Sequence, residues 1–285
     1  MELALALDRP CVAINADSAQ VYRDLKVLSA RPSAADMRGV EHRLFGEWDG
    51  AEACSAADWA ARAKREIEDA HLAGVLPILV GGTGLYLRTL LDGIAPVPPI
   101  GASVREAVRA MPLAEAYAAL TAEDAARAAA LNPADTARIT RALEVVRSTG
   151  KPLAYWQQQR LGGIANHIDL HPLVLLPPRT ALYARCDARF GRMLAHDAVA
   201  EVRALLARDL SPALPVMRAI GVPEIAGYLR GEWPLEEALA RGQQATRNYA
   251  KRQYTWFRRQ PPRAWLRLES ENCDLKAAFE TLFAY

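Results

Sequence analysis

Two short apolar runs that end in small polar residues constrain the fold of this chain more than any other feature. Residues 11–14 lead into residues 15–18, Asn-Ala-Asp-Ser, and residues 75–80 lead into residues 81–84, Gly-Gly-Thr-Gly. Such runs are typical of buried parallel strands, whose two faces are both covered. Between them, a capping-box start at Ser55 predicts a helix. The alternation of strand and helix predicts an α/β core with a mostly parallel sheet.

Later segments extend this core and interrupt it once. Residues 173–176 are a third apolar run, and after Pro178 the spacing of Leu194, Ala198, Val202 and Leu205 predicts an apolar helix face. The alanine-rich stretch from about residue 96 to residue 159 has no strand pattern, so we interpret it as helical. We therefore predict an α/β core over residues 1–98 and 166–285, which ends in a basic helix, and an all-helical insertion domain over residues 99–165.

Asp17 follows the first predicted strand directly. Right-handed crossovers place the loops after parallel strands on one edge of the sheet, and ligands of open α/β sheets bind at that edge. A carboxylate fixed there could serve as a general base or support a bound metal. It could equally cap the next helix, because Asp-Ser after a strand is a common N-cap. The pattern by itself leaves both interpretations open.

The glycine-rich turn at residues 81–84 is predicted to lie on the same edge. Its two leading glycines allow the backbone to approach a ligand closely, and free N–H groups at a helix start suit a diphosphate. The alternative is a tight strand-to-helix turn in which Thr83 only caps the helix.

The run from Arg241 to Gln260 holds six cationic residues and no acidic one. On a helix, Arg247, Lys251 and Arg258 fall near one face, with aromatic residues interleaved. Such a face attracts phosphate backbones, and its aromatic rings can stack on unpaired bases. The alternative is a solvated basic face whose aromatic residues are packed into the core.

Two further arginine-containing segments by themselves say little about function. Arg218 precedes a turn punctuated by Gly and Pro and could bind phosphate with two N–H groups. Arg138 and Arg141 share a helical face, which fits a plain amphipathic helix equally well.

The five histidines lack metal-ligand spacing, and no apolar run approaches the ~20 residues of a membrane span. We expect a cytoplasmic protein that does not use a membrane.

Taken together and in order, these segments resemble the tRNA dimethylallyltransferase family over nearly the whole chain. The resemblance rests on DSAQVYR (17–23), ARP (30–32), GGTGLY (81–86), RITRALEV (138–145) with TGKP (149–152), RAIG (218–221) and KRQYTW (251–256). It implies a P-loop-NTPase-like core of the nucleotide- and ATP-binding type, with a helical insertion that helps hold the anticodon stem-loop. It also implies transfer of a dimethylallyl group from dimethylallyl diphosphate to N6 of the adenine 3′-adjacent to the anticodon.

The resemblance also implies roles for individual residues. Asp17 would take the N6 proton, and Thr83 and Arg218 would lie near the diphosphate, so these three are the predicted catalytic residues. The protein is expected to be a monomer whose partners are tRNA and dimethylallyl diphosphate. The predicted tRNA-binding residues are Asp17, Ser18, Ala19, Gln20, Thr83, Arg105, Ala137, Arg138, Ile139, Thr140, Arg141, Arg218, Ala219, Ile220, Gly221, Val222, Pro223, Arg247, Lys251, Arg252, Gln253, Tyr254, Thr255, Trp256, Phe257 and Arg258.

The sequence departs from the family pattern at its start. The family opens with a strand and a G-x-x-x-x-G-K-[ST] loop, which cradles phosphates and binds Mg²⁺ through its hydroxyl. Here no Lys precedes Lys26, no Gly precedes Gly39, and residues 1–7 resemble the helix after that loop. We expect a start codon assigned too late, in preference to a truncated gene, and weak or absent activity of the chain as printed. Mg²⁺ is the implied cofactor, but no metal ligand is predicted within these residues.

Two other functions remain open from the residues. One is an RNA-binding remnant without catalysis, which would keep the basic helix and the insertion. The other is a small-molecule kinase or a nucleotide-directed prenyltransferase on a related core. That second class gives no reason for the cations between Lys251 and Arg258.

Overall fold

The computed structural model describes residues 1–270 and 274–283. The chain divides into two compact units, one made of Met1–Arg88 with Ile168–Tyr285 and the other of Thr89–His167. Within the described ranges, no helix combines the length and the apolar character needed to cross a lipid bilayer.

A parallel three-stranded sheet forms the centre of the first unit. β1 (Cys11–Asn15) lies between β2 (Glu41–Arg43) and β3 (Leu76–Val80). A second parallel pair joins β4 (Leu173–Leu175) to β5 (Leu266–Leu268). The predicted α/β class with parallel pairing is confirmed. The sequence did not reveal β2 and β5, because three-residue strands that carry charged residues lack an apolar run.

Helices cover most of the rest of this unit. α3 begins as predicted, because the Ser55 side chain accepts the Asp58 N–H and the Asp58 carboxylate accepts the Ser55 N–H. Its inward face buries Trp59, Ala63 and Ile67. The helices are α1 (Glu2–Ala6), α2 (Ala34–Met37), α3 (Ala56–Leu72), α4 (Gly84–Asp92), α10 (Arg179–Ala195), α11 (Ala198–Leu206), α12 (Val222–Leu229), α13 (Leu235–Arg259), α14 (Leu275–Ala278) and α15 (Glu280–Phe283).

The predicted apolar face after Pro178 is divided between two helices. α10 ends at Ala195 and α11 begins at Ala198, with His196 in a non-helical conformation between them. All four predicted face residues are nevertheless buried. The spacing of apolar residues shows which side of a helical segment faces the core. It does not show whether the segment is one helix or two when both helices bury the same side.

α13 is the longest helix, and small residues line its buried side. It begins after Pro234 and ends just before Pro261, as Pro in the helix interior would remove a backbone hydrogen bond. Ala238, Gly242, Thr246 and Ala250 follow one another at spacings of four and are all buried. These small side chains allow neighbouring elements to approach the helix closely.

The second unit is helical. Its core contains the fully buried side chains of Leu120, Ile139 and Leu143. Its helices are the end of α4, α5 (Ala102–Ala110), α6 (Leu113–Glu123), α7 (Ala125–Ala129), α8 (Thr136–Thr149) and α9 (Leu153–Gln157).

Candidate active site

A cavity of about 370 Å³ lies in the first unit beside the loop that follows β1. It brings three predicted segments together, namely residues 17–20, residues 218–220 and Arg252. The lining residues are Asp17, Ser18, Ala19, Gln20, Tyr22, Leu25, Leu28, Ser29, Cys54, Tyr86, Arg189, Phe190, Met193, Pro215, Arg218, Ala219, Ile220, Thr246, Tyr249 and Arg252. The lining thus combines one carboxylate, three arginines and a group of apolar side chains.

Asp17 is held in a tight turn at the mouth of this cavity. One carboxylate oxygen, Oδ1, accepts the backbone N–H of Ala19 at 2.9 Å. The other, Oδ2, accepts no hydrogen bond from the residues that the structure describes. Burial raises the pKa of the Asp17 carboxyl, while the Ala19 N–H and the nearby Arg189 act in the opposite direction. The carboxylate is therefore a stronger base than an exposed aspartate, and it has one oxygen available.

Buried Asn15 fixes the backbone on which Asp17 sits. Its side-chain oxygen accepts the Asp17 N–H at 2.8 Å, and its Nδ2 donates to the carbonyls of Asp17 and Leu44, both at 3.0 Å. The Asn15 carbonyl in turn accepts the indole N–H of Trp59 at 2.8 Å. Asp17 therefore caps this loop and no helix, because the next helix, α2, begins only at Ala34.

Thr83 ties the glycine-rich turn to the Asp17 loop. Its N–H donates to the Ala16 carbonyl at 3.1 Å, and its hydroxyl accepts the Ser18 N–H at 2.8 Å and donates to the Ser18 Oγ at 3.1 Å. The hydroxyl therefore does not serve as the cap of α4 that the turn pattern allowed. Gly81 is required where the two loops meet, since a Cβ there would overlap the Ala16 backbone.

One face of α13 closes over these two loops. Tyr249 of α13 lies beside the Thr83 and Ser18 side chains, and burial raises the pKa of its hydroxyl, with further help from the nearby Asp17 charge. Gln253 Nε2 donates to the Gly82 carbonyl at 2.9 Å, and the Trp256 ring lies against Gly84. The structure therefore places Gln253 and Trp256, two of the predicted tRNA-binding residues, against the glycine-rich turn.

Three arginines give the cavity its positive charge. Arg218 lies in a short 3₁₀ turn and uses one guanidinium N–H to bind the Ala213 carbonyl at 2.6 Å, which orients it. Arg189 projects from α10 near Asp17, and Arg252 lies over the Tyr249 ring, 5.6 Å from its centroid. Guanidinium groups match the geometry of phosphate oxygens, so the cavity can accept a diphosphate.

Glu201 supports the opposite wall of the cavity. Its carboxylate accepts three consecutive backbone N–H groups, those of Lys26, Val27 and Leu28, at 2.5, 2.7 and 2.9 Å. Leu28 then lines the cavity with its side chain. Residues 26–28 belong to no helix or strand. The hydrogen bonds from Glu201 of α11 therefore hold this part of the backbone in place, as backbone pairing does in regular elements.

The basic run on α13 is less free than its sequence indicates. Arg247 forms an ion pair with Asp187 of α10, with N···O distances of 2.7 and 2.8 Å, and Arg241 pairs with Glu237 at 2.8 Å. The absence of acidic residues inside the run was therefore misleading, because the carboxylates come from outside it. Tyr254 packs against Arg179, whose guanidinium lies 4.9 Å from the ring centroid, while Phe257 packs edge-on against Trp256 and Thr255 bonds the Lys251 carbonyl. Lys251, Arg252 and Arg258 remain exposed.

Three of the predicted tRNA-binding residues are buried, so they do not present a side chain to RNA. Ile139 and Val222 are 0% and 1% exposed and pack in the cores of their respective units. Gly221 is buried and has a positive φ of 96°, so its place in the sequence reflects the turn before α12. Pro223, which follows, is exposed, and Ala219 and Ile220 line the cavity.

The predicted RNA-binding residues of the second unit lie mainly on the outside of that unit. Arg105 is exposed on α5, and Ala137, Arg138 and Arg141 are exposed on α8, while Thr140 is half-buried. Arg138 pairs with Asp135 at 3.2 Å. Arg141 lies 3.9 Å from buried Glu144, which also binds Arg109 at 3.0 Å.

The described residues do not form a metal centre of their own. No group of three His, Cys, Asp or Glu side chains within the described ranges is placed to hold an ion. Asp17 is the one carboxylate in the cavity lining. Because protein-bound Mg²⁺ uses one or two carboxylates together with substrate phosphates, a Mg²⁺ ion at this cavity would depend mainly on the phosphate oxygens of the substrate.

Several residues of the site gave no signal in the sequence. Asn15 and Tyr249 fall inside segments that were singled out for other reasons, and Arg189 lies on a helix that showed only an apolar face. A polar side chain two positions before Asp17, at the end of an apolar run, was the one available sign for Asn15.

Comparison with known proteins places the chain among prenyl-transferring enzymes. A model of the IPP transferase family matches residues 20–260. A tRNA dimethylallyltransferase of Erythrobacter litoralis is 64% identical over 288 residues, covering 100% of this chain and 91% of that protein. A tRNA dimethylallyltransferase of Novosphingobium aromaticivorans is 68% identical over 261 residues, covering 92% of this chain and 93% of that protein.

Solved structures show the same fold. A tRNA isopentenylpyrophosphate transferase from Bacillus halodurans matches with a TM-score of 0.68 at 30% identity, covering 99% of this chain and 88% of that one. A eukaryotic dimethylallyltransferase acting on tRNA matches with a TM-score of 0.75 at 27% identity, covering 90% of this chain and 65% of that one.

Proposed function

This chain belongs to the IPP transferase family, and from that membership we infer that it is a tRNA dimethylallyltransferase, an enzyme that transfers a dimethylallyl group to an adenine of tRNA. We propose that the cavity beside Asp17 is the place of transfer. We further propose dimethylallyl diphosphate as the donor and N6 of the adenine 3′-adjacent to the anticodon as the acceptor.

The polar part of the cavity suits the leaving diphosphate. Arg218 and Arg189 line it, and positive charge stabilises the negative charge that develops on the diphosphate as the bond to carbon breaks. Thr83 supports this arrangement indirectly, because its hydroxyl is engaged by the Ser18 N–H and the Ser18 hydroxyl. We therefore assign Thr83 a positioning role in place of direct contact with the diphosphate.

Asp17 is the proposed general base. In the transfer, the adenine N6 forms a bond to C1 of the dimethylallyl group, and the bond from C1 to the diphosphate oxygen breaks with its electron pair leaving on the diphosphate. The N6 proton passes to Asp17 Oδ2, the oxygen left without a hydrogen bond from the described residues. A base placed in this way typically contributes ~10²–10⁴-fold to the rate.

The tRNA is proposed to bind through exposed cations and to present its target base out of the stack. An adenine within a stacked loop cannot reach an enclosed cavity, so it must be extruded. Lys251, Arg252 and Arg258 on α13 supply positive charge near the site, and Arg105, Arg138 and Arg141 supply it on the second unit. We propose that the protein acts as a cytoplasmic monomer, since tRNA is its substrate and no membrane is needed.

The placement of Asp17 in an arginine-lined cavity is the observation that supports this proposal most strongly. The test supplies the full-length gene product with tRNA and labelled dimethylallyl diphosphate, then digests the tRNA and identifies the labelled nucleoside by mass. We expect label on the adenosine beside the anticodon, and none when that position is guanosine. Label on free AMP but not on tRNA would favour a nucleotide-directed enzyme, and tRNA binding without turnover would favour a non-catalytic RNA-binding protein.

The raised pKa of Asp17 predicts a specific pH dependence. Burial makes this carboxyl hold its proton at higher pH than an ordinary aspartate, whose pKa is about 3.9. We expect kcat/KM for dimethylallyl diphosphate, measured at saturating tRNA, to fall on acidification. The apparent pKa of this fall should lie above the ordinary aspartate pKa of about 3.9. The measurement is a pH–rate profile of transfer, with tRNA affinity measured at each pH as the control. A rate that stays constant down to pH 4 with the protein folded would contradict the assignment.

Lys251 offers a test of RNA binding by α13. Because Lys251 is exposed, Lys251→Ala should weaken tRNA affinity and reduce the slope of log affinity against log salt by about one. Arg241→Ala is the matched control, since Arg241 is already paired with Glu237. A slope that Lys251→Ala leaves unchanged would mean that α13 does not contact the phosphate backbone through Lys251.

A further inference from the structure

We propose that Phe190 sets the length of the prenyl chain that the cavity accepts, by closing its apolar part with a ring that rests on two glycines. This inference depends on the proposed function, because it assigns the apolar part of the cavity to the prenyl group. That part is formed by Leu25, Leu28, Phe190, Met193, Pro215 and Ile220. Phe190 is the one aromatic side chain without a polar atom in the lining, and it is 3% exposed.

The Phe190 ring packs against the backbone of two glycines, Gly242 and Gly221. A Cβ added at Gly242 of α13 would overlap the ring, so the ring edge lies directly on that helix. A Cβ added at Gly221 would lie 3.2 Å from Phe190 Cε2 and 2.6 Å from Leu28 Cδ2. The ring therefore occupies the space that side chains at these two positions would fill.

This packing determines what happens when the ring is removed. Most core truncations are partly compensated by neighbouring side chains that move into the space, and the remaining cavity depends on how well the site collapses. Gly242 and Gly221 have no side chain that could move. The space left by Phe190→Ala should therefore persist as an extension of the cavity, bounded by α13 and by the turn before α12.

The size of the lost group matches the size of a longer substrate. A phenyl ring has about as many carbon atoms as one added isoprene unit, so the enlarged cavity should accept geranyl diphosphate. The chemistry is unchanged. N6 bonds to C1 of the geranyl group, the C1–oxygen bond breaks with its electron pair going to the diphosphate, and the N6 proton passes to Asp17.

A competition assay tests this assignment. Wild type, Phe190→Leu and Phe190→Ala are each given tRNA with equal concentrations of dimethylallyl and geranyl diphosphate, and the digested nucleosides are quantified by mass. We expect the geranyl-to-dimethylallyl ratio to rise for Phe190→Ala by on the order of tenfold to a hundredfold, the range over which hydrophobic pockets discriminate by size. Phe190→Leu should give a smaller rise.

Two further variants separate a specific effect from general loosening. Leu205→Ala removes a buried side chain from α11 that does not line the cavity, so it should leave the ratio unchanged. In the double variant Phe190→Ala with Gly242→Ala, the added methyl enters the vacated space, so the ratio should return toward dimethylallyl. If Phe190→Ala does not fold, Phe190→Leu and the double variant decide the question.

The outcomes distinguish this inference from the function on which it rests. If the wild-type full-length gene product transfers no dimethylallyl group to tRNA, the proposed function fails. If wild type and the Phe190 variants transfer dimethylallyl with an unchanged ratio, or if Leu205→Ala shifts the ratio equally, Phe190 does not set the chain length.

Discussion

Replacing Asp17 by asparagine should lower the turnover of tRNA prenylation by ~10²–10⁴-fold, the usual contribution of a positioned general base. Asparagine keeps the shape of the side chain and can still accept the Ala19 N–H through its oxygen, but it cannot take the N6 proton. The tRNA affinity should remain nearly the same, because we propose that exposed cations elsewhere hold the RNA. Single-turnover transfer and equilibrium binding, measured on the same preparation, check the two parts of this expectation.

The stability of this variant supplies the control. Because the folded-state pKa of Asp17 is raised, ionisation of the carboxyl favours the unfolded state, and its contribution to stability falls as pH rises through the interval between the unfolded and folded pKa values. Asp17→Asn should therefore be at least as stable as wild type at neutral pH in thermal unfolding. A large loss of tRNA affinity with persistent turnover on bound RNA would instead make Asp17 a binding or loop-capping residue.

Gly81→Ala should cause the largest combined loss of stability and activity among single methyl additions. The new Cβ would overlap the backbone of Ala16, which cannot rotate away as a side chain could. The two loops would have to separate, and the Ser18–Thr83 hydrogen bonds between them would be lost. Overpacking of this kind costs about 1–3 kcal/mol. Chemical unfolding should report that loss, and transfer activity should fall further because Asp17 moves with the loop.

Gly101→Ala is the matched control for this substitution. Gly101 lies at the N-cap of α5, has a negative φ, and would place its Cβ in open space. Its substitution should cost no more than about 1 kcal/mol of stability, because Ala is a poorer N-cap residue than Gly, and it should leave transfer activity intact. If Gly81→Ala behaved like this control, the close approach of the two loops would not be needed for the site.

The central strands of the fold were predictable because their signals are local. Each of the two strands that carry the site is an apolar run that ends in small polar residues, and the helix between them carries its own capping residues. These properties depend on a few neighbouring residues, so they can be identified from the sequence alone. The strands β2 and β5 were not predictable, because each has only three residues and no local strand pattern. Their extended conformation comes from pairing with β1 and β4.

The state of the basic helix could not be predicted in the same way. Its periodicity correctly indicated a long helix and a cationic face, but the partner of Arg247 is Asp187, 60 positions earlier on α10. Gln253 and Trp256 have the residue types expected of RNA-binding side chains, yet they contact the glycine-rich turn. Helical spacing shows which residues share a face, and it does not show what that face meets.

The sequence by itself determined the parallel α/β core, the position of Asp17 at a strand end, the glycine-rich turn and the order of motifs that indicates the family. Tertiary structure alone decided that Arg189 lies near Asp17, that Tyr249 lies beside Ser18 and Thr83, and that the Phe190 ring rests on Gly242. The physical reason is the range of the interactions. Strand and helix patterns arise from backbone geometry over a few residues, whereas the site is formed by side chains that only the packing of distant segments brings together.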